Sequence, residues 1–151
     1  RKLLDKLLAR YIDEVATFMI TKKSRNLVAE HRNNGDELLI ITATNSYITK
    51  PIGDLFGIDD LIGTDLEEVG GEFTGKVKGI PSFKEGKIDR LNLLLKQKKL
   101  TFEDFEQIFF YSDSQNDLPL LRAVSNPVAA NPDEVLKKEA VKKKWPIISL
   151  R

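Results

Sequence analysis

Residues 109–117 read Phe-Phe-Tyr-Ser-Asp-Ser-Gln-Asn-Asp, and this segment is the strongest indication of the fold. Its apolar beginning is typical of a buried parallel strand, and it ends in two carboxylates, Asp113 and Asp117. Ligands of open α/β sheets bind at the carboxyl ends of the strands. The stretch therefore predicts a strand that delivers acidic side chains to a sheet edge, an arrangement suited to metal-assisted phosphate chemistry.

Strands and helices alternate on both sides of this stretch. Strands are predicted at 38–42, 61–67, 72–78, 107–113 and 127–130, and helices at 2–19, 22–33, 46–56, 86–98 and 132–143. The apolar run at 38–41 indicates a strand buried on both faces, and Gly70-Gly71 is a hairpin signal. This order predicts an α/β fold with a doubly wound, Rossmann-like parallel sheet.

The composition excludes several classes of protein. With 151 residues, of which 41% are apolar and 31% charged, the chain can form a core and is too apolar for wholesale disorder. No apolar stretch approaches the roughly 20 residues of a transmembrane helix, so we expect no membrane association. The net charge of +1 gives no argument for a nucleic-acid partner.

Two residue types that often carry catalysis are scarce in this chain. Cysteine is absent, which excludes disulfides and thiolate catalysis and makes a cytoplasmic location the expected one. His31 is the single histidine, which argues against a Ser-His-Asp triad and against a metal site with several histidines.

The first candidate for a functional segment follows the strand at 38–42. The hydroxyl of Thr42 and the backbone N–H groups of Ala43 and Thr44 precede a helix and could hold a phosphoryl group. The alternative is that Thr44 or Asn45 only caps that helix. Both interpretations stay open on the sequence alone.

The second candidate is Lys87, at the beginning of the helix predicted at 86–98. A cation at a helix start opposes the helix dipole, and a local violation of this kind can mark a functional residue. The alternative is that Lys87 is one of many surface lysines, and Lys84 is a nearby competitor for the same role.

The third candidate is the carboxylate pair itself. Asp113 follows the strand directly and could bind a hard cation such as Mg²⁺. Asp117 could accept hydrogen bonds or hold a metal-bound water. The alternative is that Ser114 or Asn116 caps the next helix and that Asp117 only favours the dipole of that helix.

The order of these residues resembles the haloacid dehalogenase (HAD) superfamily of phosphohydrolases, and within it the phosphoserine phosphatase-like subfamily IB. The second motif of that family, a strand ending in Thr or Ser, is similar to residues 38–42, and its third motif, a lysine at a helix start, is similar to Lys87. Its fourth motif, Gly-Asp-Ser-x-x-Asp, is similar to residues 112–117, with Ser112 in place of glycine. The hairpin at 71–75 and the ending at 145–150 also resemble this subfamily.

The resemblance implies an Mg²⁺-dependent phosphatase that acts on a small phosphorylated metabolite through an aspartyl-phosphate intermediate. The catalytic residues that it implies are Thr42, Lys87, Asp113 and Asp117. The phosphoryl group would contact Thr42, Ala43, Thr44 and Lys87, and Asp113 would bind the metal. Ser114, Asn116 and Asp117 would support these groups without binding the metal directly.

One motif of the resembled family is not found in this chain. The first motif, Asp-x-Asp followed by Gly-Thr, carries the nucleophile, and no such strand precedes Thr42. The resemblance then implies that residues 1–20 are the tail of a helical cap or a linker helix and that 21–151 are the C-terminal part of the core. The central first strand would come from an upstream segment or a partner chain, and residues 1–151 alone would be inactive.

Two other functions remain open on the sequence. The chain could be a non-catalytic module of the same fold that binds phosphate or a partner. A receiver-like phospho-acceptor also uses aspartate, threonine and lysine on a doubly wound sheet. Its acidic residues come early in the chain, whereas here the acidic pair follows the threonine and the lysine, so this function ranks last.

Overall fold

Helices and strands alternate along residues 1–151, all of which the computed structural model describes, and the chain divides into two units, Arg1–Ser82 and Phe83–Arg151. In each unit the sheet that follows the helical segments has parallel strands, which confirms the predicted α/β fold with parallel sheets. None of the helices has the length and apolarity that a membrane span requires.

The first unit begins with three helices and continues with a parallel strand pair and a hairpin. Its elements are α1 (Lys2–Tyr11), a π-helical turn (Ile12–Ala16), α2 (Thr17–Met19), α3 (Lys22–Asn33), β1 (Leu39–Asn45), α4 (Ser46–Phe56), β2 (Asp60–Thr64), β3 (Leu66–Val69) and β4 (Glu72–Val77). The strands β1 and β2 pair in parallel, with Leu39 opposite Asp60, and β3 and β4 form the antiparallel hairpin predicted at Gly70-Gly71.

The helix ends of the first unit follow from local side-chain chemistry. Thr21 caps α3 by accepting the N–H of Ser24 at 3.1 Å, and Asn45 caps α4 by accepting the N–H of Ile48 at 3.0 Å. Gly57 ends α4 in the left-handed region at φ 64°, where a residue with a Cβ would be strained.

The strand predicted to end at Thr42 continues to Asn45, and we correct its extent here. Between Ile41 and Asn45 the register with β2 shifts, so residues 42–44 form a bulge, which we call the β1 bulge. The bulge is held from a neighbouring strand, because the hydroxyl of Thr64 donates to the carbonyl of Ala43 at 2.9 Å.

The single strand predicted at 61–67 is also wrong in extent, because it is divided between β2 and β3. Asp65 separates the two strands. Its carboxylate accepts the hydroxyl of Ser46 at the start of α4, and its carbonyl accepts the N–H of Lys78 at 2.8 Å. The chain therefore leaves the parallel pair at Asp65 and enters the hairpin.

The second unit contains a three-stranded parallel sheet with helices between its strands. Its elements are α5 (Glu85–Gln97), a 3₁₀ turn (Phe102–Asp104), β5 (Phe109–Ser112), a 3₁₀ turn (Gln115–Asp117), α6 (Leu118–Ala123), β6 (Asn126–Ala130), α7 (Glu134–Lys143) and β7 (Ile147–Ile148). The strand order is β5-β6-β7, with Ser112 opposite Ala129 and Ala130 opposite Ile148.

The core of the second unit lies between this sheet and its helices. Its fully or nearly fully buried apolar residues are Leu91, Leu95, Phe110, Leu120, Leu121, Val128, Ala129, Leu136 and Ala140. At roughly 1.5–3 kcal/mol for each large buried apolar side chain, this cluster fixes β5 and α5 firmly and with them the residues at their ends.

The division of the chain into 1–20 and 21–151 stays a prediction. Residues Lys2–Met19 form one continuous helical stretch, as predicted, through α1, the π-helical turn and α2. Large apolar side chains along this stretch are exposed, among them Leu3 at 68% and Phe18 at 81%.

Candidate functional site

Residues 113–117 follow β5 directly, and we call them the β5 loop. Its first residue, Asp113, is exposed, and its carboxylate makes no hydrogen bond or ion pair within the chain. The backbone carbonyl of Asp113 accepts the N–H of Asp133 at 2.8 Å. The strand therefore ends in a carboxylate whose oxygens are uncommitted, as a ligand for a hard cation would be.

Asp117, at the other end of the β5 loop, is in the opposite situation. It is 7% exposed, its Oδ1 lies 2.6 Å from Nζ of Lys87, and its Oδ2 accepts the hydroxyl of Ser112 at 2.6 Å. Lys87 and Ser112 are buried to a similar degree, at 5% and 7% exposure. Buried charges are costly unless they are paired and hydrogen-bonded, and this network satisfies both oxygens of Asp117.

The ion pair with Asp117 explains why a lysine stands at a helix start. Lys87 lies in the first turn of α5, where a cation is unfavourable, and Asp117 supplies the opposite charge. Nζ of Lys87 also lies 5.9 Å from the centroid of the Phe110 ring. The competitor Lys84 is exposed, and its Nζ lies 5.3 Å from the centroid of the Phe83 ring.

Ser112 occupies the position at which the resembled motif has glycine. Its hydroxyl donates to Asp117 and accepts the N–H of Ser114 at 3.1 Å. A glycine at this position could make neither contact. The departure from the motif thus adds a hydrogen bond to the buried carboxylate and fixes the first turn of the β5 loop.

The capping alternative holds for Ser114 but not for Asp117. The hydroxyl oxygen of Ser114 accepts the N–H of Asn116 at 3.2 Å and begins the short 3₁₀ turn Gln115–Asp117. The side chain of Asp117 makes no capping hydrogen bond to α6, which begins at Leu118 and has Pro119 as its second residue. The supporting roles of Ser114 and Asn116 stay predictions.

Sequence reasoning missed Asp133, which contacts the β5 loop. Its Oδ2 accepts the N–H of Gln115 at 2.7 Å, and its Oδ1 accepts the N–H of Leu136 at 2.8 Å and so caps α7. Burial works to raise the pKa of Asp133, but the backbone N–H groups of Leu136, Gln115 and Val135 outweigh it and lower the pKa. An aspartate just before a helix predicts the cap, but no sequence signal shows the contact with Gln115.

The β1 bulge carries the other predicted phosphate contacts. The hydroxyl oxygen of Thr42 accepts the N–H of Thr44 at 3.2 Å, and Ala43 and Thr44 are exposed. Asn45 supplies the cap of α4, so the capping alternative accounts for Asn45 and leaves Thr42 and Thr44 without a capping role.

Within the second unit, the structure brings together Lys87, Asp117 and Ser112, with Asp113 on the same loop as Asp117. Thr42, Ala43 and Thr44 lie together in the first unit. That these two groups act on one phosphoryl group stays a prediction.

The residues of the β5 loop fit an Mg²⁺ ion that is held by few protein ligands. No group of three or more His, Cys, Asp or Glu side chains in the chain could hold a metal ion. Mg²⁺ is usually bound by one or two carboxylates together with waters and substrate phosphates, and the uncommitted carboxylate of Asp113 meets that requirement.

Comparison with known proteins shows which hydrolase family the chain resembles. A model of the haloacid dehalogenase-like hydrolases matches residues 2–122. A histidinol-phosphatase of Neisseria meningitidis serogroup C is 50% identical over 133 residues, which are 87% of this chain and 60% of that protein. The phosphoserine phosphatase SerB1 of Mycobacterium tuberculosis is 32% identical over 139 residues, which are 92% of this chain and 44% of that protein.

A solved structure is similar along nearly the whole chain. The crystal structure of a protein with unknown function from Bordetella pertussis Tohama I matches with a TM-score of 0.96 and 40% sequence identity, over 98% of this chain and 66% of that chain. The chain thus spans 60% of the histidinol-phosphatase, 44% of the phosphoserine phosphatase and 66% of the Bordetella protein.

Proposed function

Because the chain belongs to the family of haloacid dehalogenase-like hydrolases, we propose that the protein hydrolyses phosphomonoesters with the help of Mg²⁺. The observation that carries this proposal is the contrast within the β5 loop. Asp113 is exposed and uncommitted, whereas Asp117 is buried and fully bonded to Lys87 and Ser112. A loop that only capped a helix would not need a buried ion pair.

Asp113 is the residue of this chain that would hold the metal. When bound, Mg²⁺ supplies positive charge that offsets the negative charge of a phosphoryl group and of the carboxylate that attacks it. The chain contributes one free carboxylate to the metal, and its further ligands would be water, substrate and groups outside residues 1–151.

Lys87 would act as a fixed positive charge rather than as a proton donor. Its Nζ is held at 2.6 Å from Asp117, and both residues are buried, so the charge cannot move away when substrate binds. Preorganised charge of this kind costs no reorganisation during the reaction, which makes it effective for transition-state stabilisation.

Thr42 would donate a hydrogen bond to a phosphoryl oxygen, with the N–H groups of the β1 bulge as further donors. Its hydroxyl accepts the N–H of Thr44, so its own hydrogen is free to point toward an anion. The exposure of Ala43 and Thr44 leaves the bulge accessible to a ligand.

The attacking group in this proposal is an aspartate outside residues 1–151. Its carboxylate oxygen forms a bond to phosphorus while the ester P–O bond breaks, and the leaving oxygen takes up a proton from the second aspartate of the same Asp-x-Asp motif. Water then gives a proton back to that second aspartate as its oxygen attacks the phosphorus of the aspartyl-phosphate, which releases inorganic phosphate and restores the first carboxylate. We expect residues 1–151 alone to show no turnover, and measurable turnover by that fragment would contradict this expectation.

The substrate class follows from the relatives and is part of the proposal. The 50% identity to a histidinol-phosphatase favours histidinol phosphate, and phosphoserine is the next candidate because of the 32% identity to a phosphoserine phosphatase. Both are small phosphomonoesters, and their hydrolysis agrees with the cytoplasmic location that we expect.

The proposal is tested with the full-length protein and p-nitrophenyl phosphate at increasing Mg²⁺. We expect Mg²⁺-dependent hydrolysis by the wild type and a loss of at least about 100-fold in Asp113→Asn. Histidinol phosphate and phosphoserine are then compared by kcat/KM. Absence of hydrolysis of all three compounds would favour the alternative, a phosphate-binding or interaction module, and equal activity of Asp113→Asn would remove Asp113 as metal ligand.

A further inference from the structure

We propose that Asp133 is a positioning residue for Asp113, and this proposal rests on the metal-binding role of Asp113 proposed above. Asp133 does not contact the phosphoryl group in this account. It acts through the backbone of the β5 loop and sets the direction in which the carboxylate of Asp113 leaves the sheet.

The parallel pairing of β5 and β6 places the segments that follow them side by side. Ser112, the last residue of β5, lies opposite Ala129, and β6 ends one residue later at Ala130. Asp113 and Asp133 therefore leave the same edge of the same sheet. Their proximity follows from strand register and does not depend on a flexible segment.

Asp133 binds the β5 loop at two backbone positions, one at Asp113 and one at Gln115, which lie on either side of Ser114. Its N–H donates to the carbonyl of Asp113 at 2.8 Å, and its Oδ2 accepts the N–H of Gln115 at 2.7 Å. Its other oxygen caps α7 through the N–H of Leu136 at 2.8 Å. One residue thus ties the loop to the start of a helix that is anchored in the core by Leu136 and Ala140.

This arrangement leaves the carboxylate of Asp113 uncommitted. The loop backbone is held by Asp133 on one side and by the hydroxyls of Ser112 and Ser114 on the other. The carboxylate of Asp113 does not have to hold its own loop in place. Groups that orient a metal ligand from behind typically change metal affinity 10- to 100-fold when they are removed, and we expect about tenfold here.

The variant Asp133→Asn separates the two contacts of the carboxylate. Asparagine is a good helix cap and keeps one acceptor oxygen for Leu136, but its Nδ2 cannot accept the N–H of Gln115. Asp133→Ser also keeps one capping oxygen and serves as a second variant. Thr21→Ala is the matched control, because it removes a helix cap of similar length, at 3.1 Å, from α3.

The experiment measures Mg²⁺ binding to the full-length protein by calorimetry without substrate, and amide hydrogen exchange at Gln115. We expect Asp133→Asn and Asp133→Ser to weaken Mg²⁺ binding about tenfold and to speed exchange at Gln115 by at least a similar factor. Thr21→Ala should change neither value.

The results distinguish a failure of the positioning role of Asp133 from a failure of the proposed function. If the wild type binds Mg²⁺ and both Asp133 variants bind it with the same affinity while exchange at Gln115 rises, the positioning role is wrong and the proposed function stands. If the wild type binds no Mg²⁺, the proposed function fails and the positioning role fails with it. If Thr21→Ala weakens Mg²⁺ binding as much as Asp133→Asn, general destabilisation is the cause and the positioning role is also wrong.

Discussion

The β1 bulge and the β5 loop both stand at the carboxyl end of a parallel strand, but they are held in different ways. The β1 bulge is held by neutral hydroxyls, with Thr64 bonded to Ala43 and Thr42 bonded to Thr44. The β5 loop is held by charges, with Asp117 bonded to Lys87 and Asp133 bonded to Gln115. The interactions that hold the two segments therefore contribute differently to the stability of the fold, although each segment lies toward the carboxyl end of a parallel strand.

The two segments should therefore differ in how well they tolerate substitution. A neutral hydrogen bond contributes about 1 kcal/mol, so a single change in the β1 bulge is tolerable. Removal of one member of a buried ion pair leaves an uncompensated charge, which costs several times more. We therefore expect the β5 loop to depend on the identity of each buried residue and the β1 bulge mainly on the presence of hydroxyl and N–H donors.

The largest effect is expected for Lys87→Met. The change removes the positive charge and leaves Asp117 buried without its ion pair. The free energy of unfolding should fall by about 3–5 kcal/mol, as measured by urea denaturation of the full-length protein at pH 7. The double variant Lys87→Met with Asp117→Leu should regain part of the loss, and a loss below about 1 kcal/mol in the single variant would contradict the view that the β5 loop is held by charge.

A smaller effect is expected for Ser112→Ala. This change removes the hydrogen bond to the Oδ2 of Asp117 and the acceptor for the N–H of Ser114. Hydrogen bonds to charged groups contribute about 1.5–3 kcal/mol, so we expect a destabilisation in that range by urea denaturation. Ser112→Thr keeps the hydroxyl and is the control. If Ser112→Ala and Ser112→Thr were equally stable, the serine at position 112 would contribute to stability through packing and not through its hydrogen bond.

Thr64→Val is the matching change for the β1 bulge. It preserves the shape of the side chain but removes the hydroxyl that donates to Ala43 and accepts the N–H of Ser82 at 3.1 Å. Because the lost hydrogen bonds are neutral and partly exposed, we expect a destabilisation of about 1 kcal/mol. A loss as large as that of Lys87→Met would remove the contrast between the two segments.

The smallest effect is expected for an exposed ion pair in the same unit as the β5 loop. The guanidinium of Arg122 bonds the carboxylate of Glu139 at 2.9 Å and lowers its pKa. Because the pKa of Glu139 is lower in the folded protein than its ordinary value of 4.5, the ion pair stabilises the folded state at pH values above 4.5. This stabilisation is lost as the pH falls through the pKa of the folded state.

The thermal midpoint of Glu139→Gln should therefore lie slightly below that of the wild type at pH 7. The two midpoints should converge as the pH falls below 4.5, and thermal denaturation followed by circular dichroism at a series of pH values checks this. A difference that does not shrink as the pH falls would mean that the glutamate stabilises α7 by something other than its charge.

Those parts of the fold that depend on local signals were predictable from the sequence. The helices predicted at 22–33 and 46–56 have these bounds in the structure, where Thr21 and Asn45 cap them and Gly57 ends the second. The parallel arrangement was predictable because continuous apolar runs without alternation are typical of strands covered on both faces.

The parts that depend on contacts between distant residues were not predictable. The extension of β1 to Asn45 depends on Thr64, which is 21 residues away from its partner Ala43. The contact of Asp133 with Gln115 spans 18 residues and leaves no local pattern. Lys87 was an intermediate case, because its conflict with the helix dipole marked it as unusual while its partner Asp117 was visible only in the structure.

In the function proposed above, the uncommitted carboxylate of Asp113 is a direct ligand of the catalytic metal. The most direct test is binding of Mn²⁺, as a paramagnetic substitute for Mg²⁺, to the full-length protein, measured by EPR of the free ion. We expect binding by the wild type and a loss of at least about 100-fold in affinity for Asp113→Asn, with an unchanged urea denaturation curve. Equal Mn²⁺ affinity of a folded Asp113→Asn variant and the wild type would contradict this role of Asp113.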